Sequence, residues 1–205
     1  MKIVFFKISS MKYYKGHCDD DVPYNGGSFV AENGYGHEEL NFLPIQLNDE
    51  EEIQCLGFVE PKSNRGKRNT FHLERINGCK SMKNEPLVED VLVVWCATRT
   101  GNETTIVGWY KHATVFKNLQ SWILEHEDGA EEREYNVISS VQNCTLLPVN
   151  ERDRNIWRIQ FPGQKFGQSM VWYPSLEDDE EYINAIVDAI ENYNGGNWID
   201  KYPQL

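Results

Sequence analysis

The chain has 205 residues, 40% hydrophobic and 25% charged, which fits one soluble globular domain. Fifteen Gly and eight Pro are too few and too scattered for a disordered or fibrous chain. Twenty Lys and Arg stand against 32 Asp and Glu, and the net charge of −12 argues against a general nucleic-acid coat or a membrane-surface binder.

Residues 2–8 (KIVFFKI) are rich in β-branched and aromatic types and predict a buried strand. Their apolar run, Ile3 to Phe6, is shorter than the roughly 7–15 residues of a secretory signal. No stretch approaches the ~20 apolar residues of a transmembrane helix. Strands are expected at 54–59 (QCLGFV) and 71–76 (FHLERI), joined by a polar loop over 60–70. The clearest pair is 90–97 (DVLVVWCA) and 104–110 (TTIVGWY), two apolar runs around a short Gly-Asn turn, which predicts a hairpin. Further strands are expected at 134–142, 144–147, 156–161 and 169–173, and a short helix around 117–125.

A longer helix is expected over about 176–193. Ser175 and Asp178 make an S-x-x-D capping pattern, and acids crowd the first turn, where they suit the helix dipole. Tyr182, Ile183, Ile186, Ala189, Ile190 and Tyr193 then share one face, and Gly195-Gly196 end it. Without repeats or βαβ alternation, a doubly wound parallel sheet is disfavoured. The expected fold is α+β, one domain over 1–205. A strongly curved, mostly antiparallel sheet or small barrel forms its core over about 1–173, with the C-terminal helix added.

The five cysteines (Cys18, Cys55, Cys79, Cys96, Cys144) form no CxxC pair, which points to reduced thiols in a cytoplasmic protein and to no zinc site. The histidines show neither HxxxH nor HxE spacing, and no GxSxG elbow or P-loop is present. No catalytic residue, cofactor or metal is therefore expected, and a binding module is favoured over an enzyme. Asp19-Asp20-Asp21 suits a hard cation in principle, although an acidic surface turn is the commoner meaning of such a run.

Two features do suggest binding. From Lys62 to Lys83 there are seven Lys and Arg and one acid, so an acidic chain carries a basic island. Arg65, Lys67 and Arg68 are its candidate phosphate contacts. The aromatic supply is nine Phe, six Trp and ten Tyr. Tyr13, Trp95, Trp109 and Trp172, with Asn25 and Ser28 beside the glycine pair Gly26-Gly27, are the candidates to line a cavity for a flat ligand. Core packing is the competing role for each tryptophan. Strand alternation places Trp109 and Tyr110 on opposite faces.

Taken together, MKYYKG (11–16), NGGSF (25–29), VVWCA (93–97), VGWYKHATVF (107–116), LLPVNER (146–152) and GQSMVWY (167–173) resemble a bacterial domain found N-terminal in HNH-type restriction-like endonucleases. The likeness spans most of residues 1–195. It implies a PUA-like fold of the EVE, ASCH and YTH kind, in which an aromatic-walled pocket accepts a modified, often flipped, base. The chain ends soon after Trp198 with no HNH motif, so the resemblance implies a reader without cleavage.

The leading expectation is thus a nucleic-acid-recognition module. It would read a modified base in DNA within bacterial restriction or antiviral defence, together with a separate nuclease subunit and away from membranes. The alternative is an acidic protein-interaction factor, an immunity or anti-restriction protein that occupies a basic partner. Its support is the net charge and the run 125–134, with six acids against Arg133.

Overall fold

The structure is a computed structural model describing residues 1–24, 36–47, 52–61, 63–64, 67–68, 70–99, 103–126 and 129–203. Among these residues ten strands form: β1 (Ile3–Ile8), β2 (Pro44–Gln46), β3 (Ile53–Gly57), β4 (Ser63–Asn64), β5 (Lys67–Arg68), β6 (Leu87–Thr98), β7 (Thr104–His126), β8 (Gly129–Ser140), β9 (Cys144–Leu146) and β10 (Val171–Trp172). Eight of them make one sheet in the order β10-β1-β6-β7-β8-β3-β2, with β9 on β7, while β4 and β5 pair separately. Every pairing in the large sheet is antiparallel except β1 with β6. The fold is therefore α+β with a mixed, mostly antiparallel sheet. Among the described residues no pairing joins β2 to β10, so the strand path has two ends and does not close into a barrel.

Both faces of the central strands are buried. Val4, Phe6, Val91, Val93, Trp95 and Tyr110 belong to one apolar cluster, whereas Ile3, Phe5, Leu92, Val94, Cys96 and Trp109 belong to another. Two-sided burial explains why 91–97 reads as a continuous apolar run instead of an alternating one. The predicted hairpin is present, with Val93 opposite Tyr110 and Thr98 opposite Thr104. A register shift between Trp95 and Cys96 disposes of one extra residue of β7, so Val107 and Trp109, two apart, fall in different clusters.

Two glycines set how closely elements approach. A Cβ on Gly57 would lie 2.4 Å from the Trp95 ring, and one on Gly108 would lie 2.3 Å from the Thr145 carbonyl. Neither position has room for a side chain.

Three expectations are corrected. Residues 117–125 form no helix, because they continue β7 and pair with β8 from Gln120 opposite Tyr135 to Glu125 opposite Ala130. The apolar spacing of Leu119, Trp122 and Ile123 imitates a helix, but the cross-strand partners decide. Residues 71–76 form a 3₁₀ turn (Leu73–Arg75) rather than a strand. Residues 156–161 likewise contain a 3₁₀ turn (Asn155–Trp157), followed by one isolated bridge from Arg158 to Thr105. In both segments too few backbone groups reach a neighbouring strand.

The long helix runs from Leu176 to Glu191. The Ser175 side chain makes no cap bond, although the Asp179 N–H donates to the Ser175 carbonyl at 2.8 Å. The helix closes on Asn192, whose N–H donates to the Asp188 carbonyl, three residues before the predicted glycine stop. Ile183, Ile186 and Ile190 are buried against the second cluster. No helix among the described residues is long and apolar enough to cross a membrane.

Placing a carboxylate at Ile186 strands an unpaired charge under the helix, at a cost of several kcal/mol. Ile186→Asp is expected to abolish cooperative thermal unfolding, as followed by circular dichroism. A wild-type melting curve would show that the helix does not dock through this face.

Candidate functional site

The aromatic candidates do not converge on one cavity. Trp95 is fully buried in the first cluster, against Phe6 and Tyr110. Trp109 is buried on the opposite face against Trp157 and Tyr193. Two side chains on opposite faces of one sheet cannot wall the same pocket. Tyr13 stacks on Trp198 at 5.3 Å, at the margin of the first cluster. Asn25 and Ser28 lie outside the described residues, as do Arg65 and the side chains of Lys67 and Arg68. The backbone of Lys67 and Arg68 forms β5, opposite Asn64 and Ser63.

Trp172 is different. Although its ring is largely buried, it lies in the wall of a cleft of about 420 Å³ at the β10 end of the sheet. The cleft also takes in Arg75, Lys165, Tyr173, Asp178 and Asp179. Three pieces of chain position these groups. The 3₁₀ turn Leu73–Arg75 is tied to the strand end by the His72 N–H donating to the Tyr173 hydroxyl at 3.2 Å and by Asn77 Nδ2 donating to the Pro174 carbonyl at 3.0 Å. The single-turn helix Pro162–Lys165 brings in Lys165, and the start of the long helix brings in both aspartates.

The electrostatics of the cleft are mixed. The Arg75 guanidinium lies 4.7 Å above the Tyr173 ring, and Lys165 Nζ lies 5.2 Å from the centre of Trp172 while pairing with Asp179. A cation on an aromatic face is held by the ring quadrupole yet keeps N–H groups for a second partner. Burial pushes the Tyr173 hydroxyl up to about 12, so it stays neutral at physiological pH. The cleft thus offers cationic donors, carboxylate acceptors and π-surface. No nucleophile paired with a base lines it. Among the described residues no group of three or more His, Cys, Asp and Glu could hold a metal ion.

A second polar assembly fixes the segment around Tyr13. Asp21 is buried, and its carboxylate accepts the backbone N–H groups of Lys12 (2.6 Å) and Tyr13 (2.8 Å). Arg152, also buried, donates to the carbonyls of Met11, Lys12 and Leu147 at 2.6, 2.7 and 3.0 Å. Burial lowers its pKa to about 10, which leaves it charged at neutral pH. Glu39 joins His17 at 2.9 Å to Arg133 at 3.2 Å. These are backbone anchors and ion pairs rather than a reaction centre.

Sequence reasoning missed Arg75 as a cleft residue because its partner, Tyr173, is 98 positions away. It also missed the structural use of Asp21, whose neighbours suggested a solvated turn. The one available signal was that Arg75 belongs to the basic island and Tyr173 directly follows Trp172. No protein-family model, curated protein or solved structure matches the chain.

Lys15 supplies a pH signature for the anchored segment. Its ammonium donates to the carbonyls of Phe42 and Ile199, and burial lowers its pKa from 10.5 to about 8. Between these values the unfolded chain holds more protons than the folded one, so this group makes stability rise with pH. Above about pH 10 the tyrosines oppose that trend, because burial raises Tyr14 and Tyr173 while the unfolded chain begins to ionise. From pH 8 to 10 burial also holds the thiols of Cys79, Cys96 and Cys144 protonated in the folded chain, which opposes the Lys15 contribution. Urea unfolding at half-unit intervals is therefore expected to show a stability slope over that range that Lys15→Met makes more negative. Identical slopes in the two proteins would place the proton release elsewhere.

Proposed function

We propose that the protein is a nucleic-acid-recognition module whose contact surface is the β10 cleft. The observation that carries this reading is the pair of cations seated on aromatic rings, Arg75 on Tyr173 and Lys165 on Trp172, around one cleft. Phosphate needs cationic donors and a base needs a π-face, and both are within reach of one ligand here. Asp178 adds an exposed carboxylate, the group that accepts from an exocyclic amine such as cytosine N4.

The net charge of −12 repels nucleic acid in general, so binding depends on this local surface and on Lys67 and Arg68 of β5. The finer reading is a PUA-like reader of a modified base in DNA, serving bacterial restriction with a separate nuclease. It rests on the motif resemblance set out from the sequence.

Fluorescence anisotropy with labelled oligonucleotides carrying normal and modified cytosines tests the reading. Arg75→Ala is expected to weaken binding to every sequence and to lower the salt slope by about one. Tyr173→Leu removes a stacking face worth about 1–3 kcal/mol and is expected to reduce affinity roughly 5- to 150-fold. Unchanged affinity and salt slope in both variants, with wild-type circular dichroism, would remove nucleic acid from the cleft.

A further inference from the structure

The other end of the strand order carries a groove of about 660 Å³ between β2 and the far part of the β7–β8 hairpin. Its apolar surface comes from Ile45, Leu47, Trp122, Ile123, Leu124 and Tyr135. All five successive residues from Ser121 to Glu125 line it. Successive residues of a strand point to opposite faces, so a groove touched by five in a row follows the strand's edge. Beyond Lys117, β7 pairs only with β8, and no strand among the described residues occupies its other edge. β2 is likewise the last strand of its sheet. Open strand edges next to apolar side chains are the features that an added strand requires.

Charge selects the occupant. Among the described residues, Glu125 is the only charged one lining the groove. The same hairpin carries Glu131, Glu132 and Glu134, and its one arginine, Arg133, is buried and engaged with Glu39 and Glu131. No cation pairs with Glu125 or Glu132 among the described residues. A second copy of this hairpin would bring carboxylates against carboxylates, and a nucleic acid would meet the same repulsion. We propose that this groove binds an extended cationic peptide segment of a partner protein, which adds to the open edge as a β-strand with its aliphatic residues on Trp122 and Leu124 and its Lys or Arg residues toward Glu125 and Glu132. This surface is separate from the β10 cleft, so it stands or falls independently of nucleic-acid binding.

Three labelled ten-residue peptides serve as probes on the full chain: alternating Lys-Val, alternating Glu-Val, and Lys-Val with every second amide N-methylated. The Lys-Val peptide is expected to bind in a salt-dependent manner, with slowed hydrogen exchange at amides in 118–126. N-methylation removes donors and is expected to cost tenfold or more, and the Glu-Val peptide is expected not to bind. Ile123 is 58% exposed, so Ile123→Lys leaves the fold intact and is expected to weaken the Lys-Val peptide at least tenfold. Glu125→Lys with Glu132→Lys is expected to do the same, and Arg75→Ala to change nothing. Absence of Lys-Val binding would overturn the proposal. So would equal affinity for the N-methylated peptide, which indicates charge condensation without strand addition, or indifference to Ile123→Lys.

Discussion

Burial of β1 and β6 on both faces is the constraint from which the rest of the architecture follows. A sheet with one solvated face needs a single cover, but here Phe5, Val94 and Cys96 need one layer while Phe6, Val93 and Trp95 need another. The long helix supplies the first through Ile183, Ile186 and Ile190. Met11, Tyr14, Phe42, Phe71 and Ile76 supply the second from segments with little regular structure. Irregular chain brings backbone polar groups into the interior, and they must be paired there. Asn41 donates to the Phe58 carbonyl and accepts its N–H, while Asn136 does the same for Val59, so two amide side chains replace a missing strand at 58–59. Asp21 and Arg152 perform the equivalent service at 11–13, and Arg152 also ties that segment to Leu147.

The candidate sites consequently lie at the rim. The tryptophans that make the sequence look like a stacking pocket are needed as core, and the two clefts lie where strands stop. At the β10 end Trp172 packs on Phe5, Phe166 and Tyr182, and Lys165 sits over its ring in the cleft. At the β2 end the β7–β8 hairpin outruns its neighbours, because β6 stops pairing at Phe116 while β7 continues to His126. A strand that outruns its sheet must expose an edge.

The sequence made the sheet class, the central hairpin and the long helix legible because each leaves a local signature: β-branched runs about a short turn, or apolar residues at helical spacing. Residues 117–125 misled because a half-buried strand with polar gaps can share a helix's spacing over nine residues. The parallel partnership of β1 with β6 was invisible, since it joins residues about 90 positions apart through no motif. Among the described clefts, Trp172 is the aromatic candidate that borders one, and the sequence carried no means of telling it from Trp109, which also sits in a strand beside a tyrosine. What separates them is the number of layers above each ring, a property of the whole fold.

The distribution of charge completes the argument. An acidic chain that concentrates lysine and arginine in 62–83 and carboxylates in 125–134 is a molecule with opposed local fields rather than a uniformly repulsive one. The topology places Arg75 at the β10 cleft and the acidic hairpin beside β2, at the two ends of the strand order. With a Debye length near 10 Å at about 0.1 M salt, fields at such sites act separately. On the two proposals above, a nucleic acid at the β10 cleft and a cationic segment at the β2 groove would not compete for the same surface.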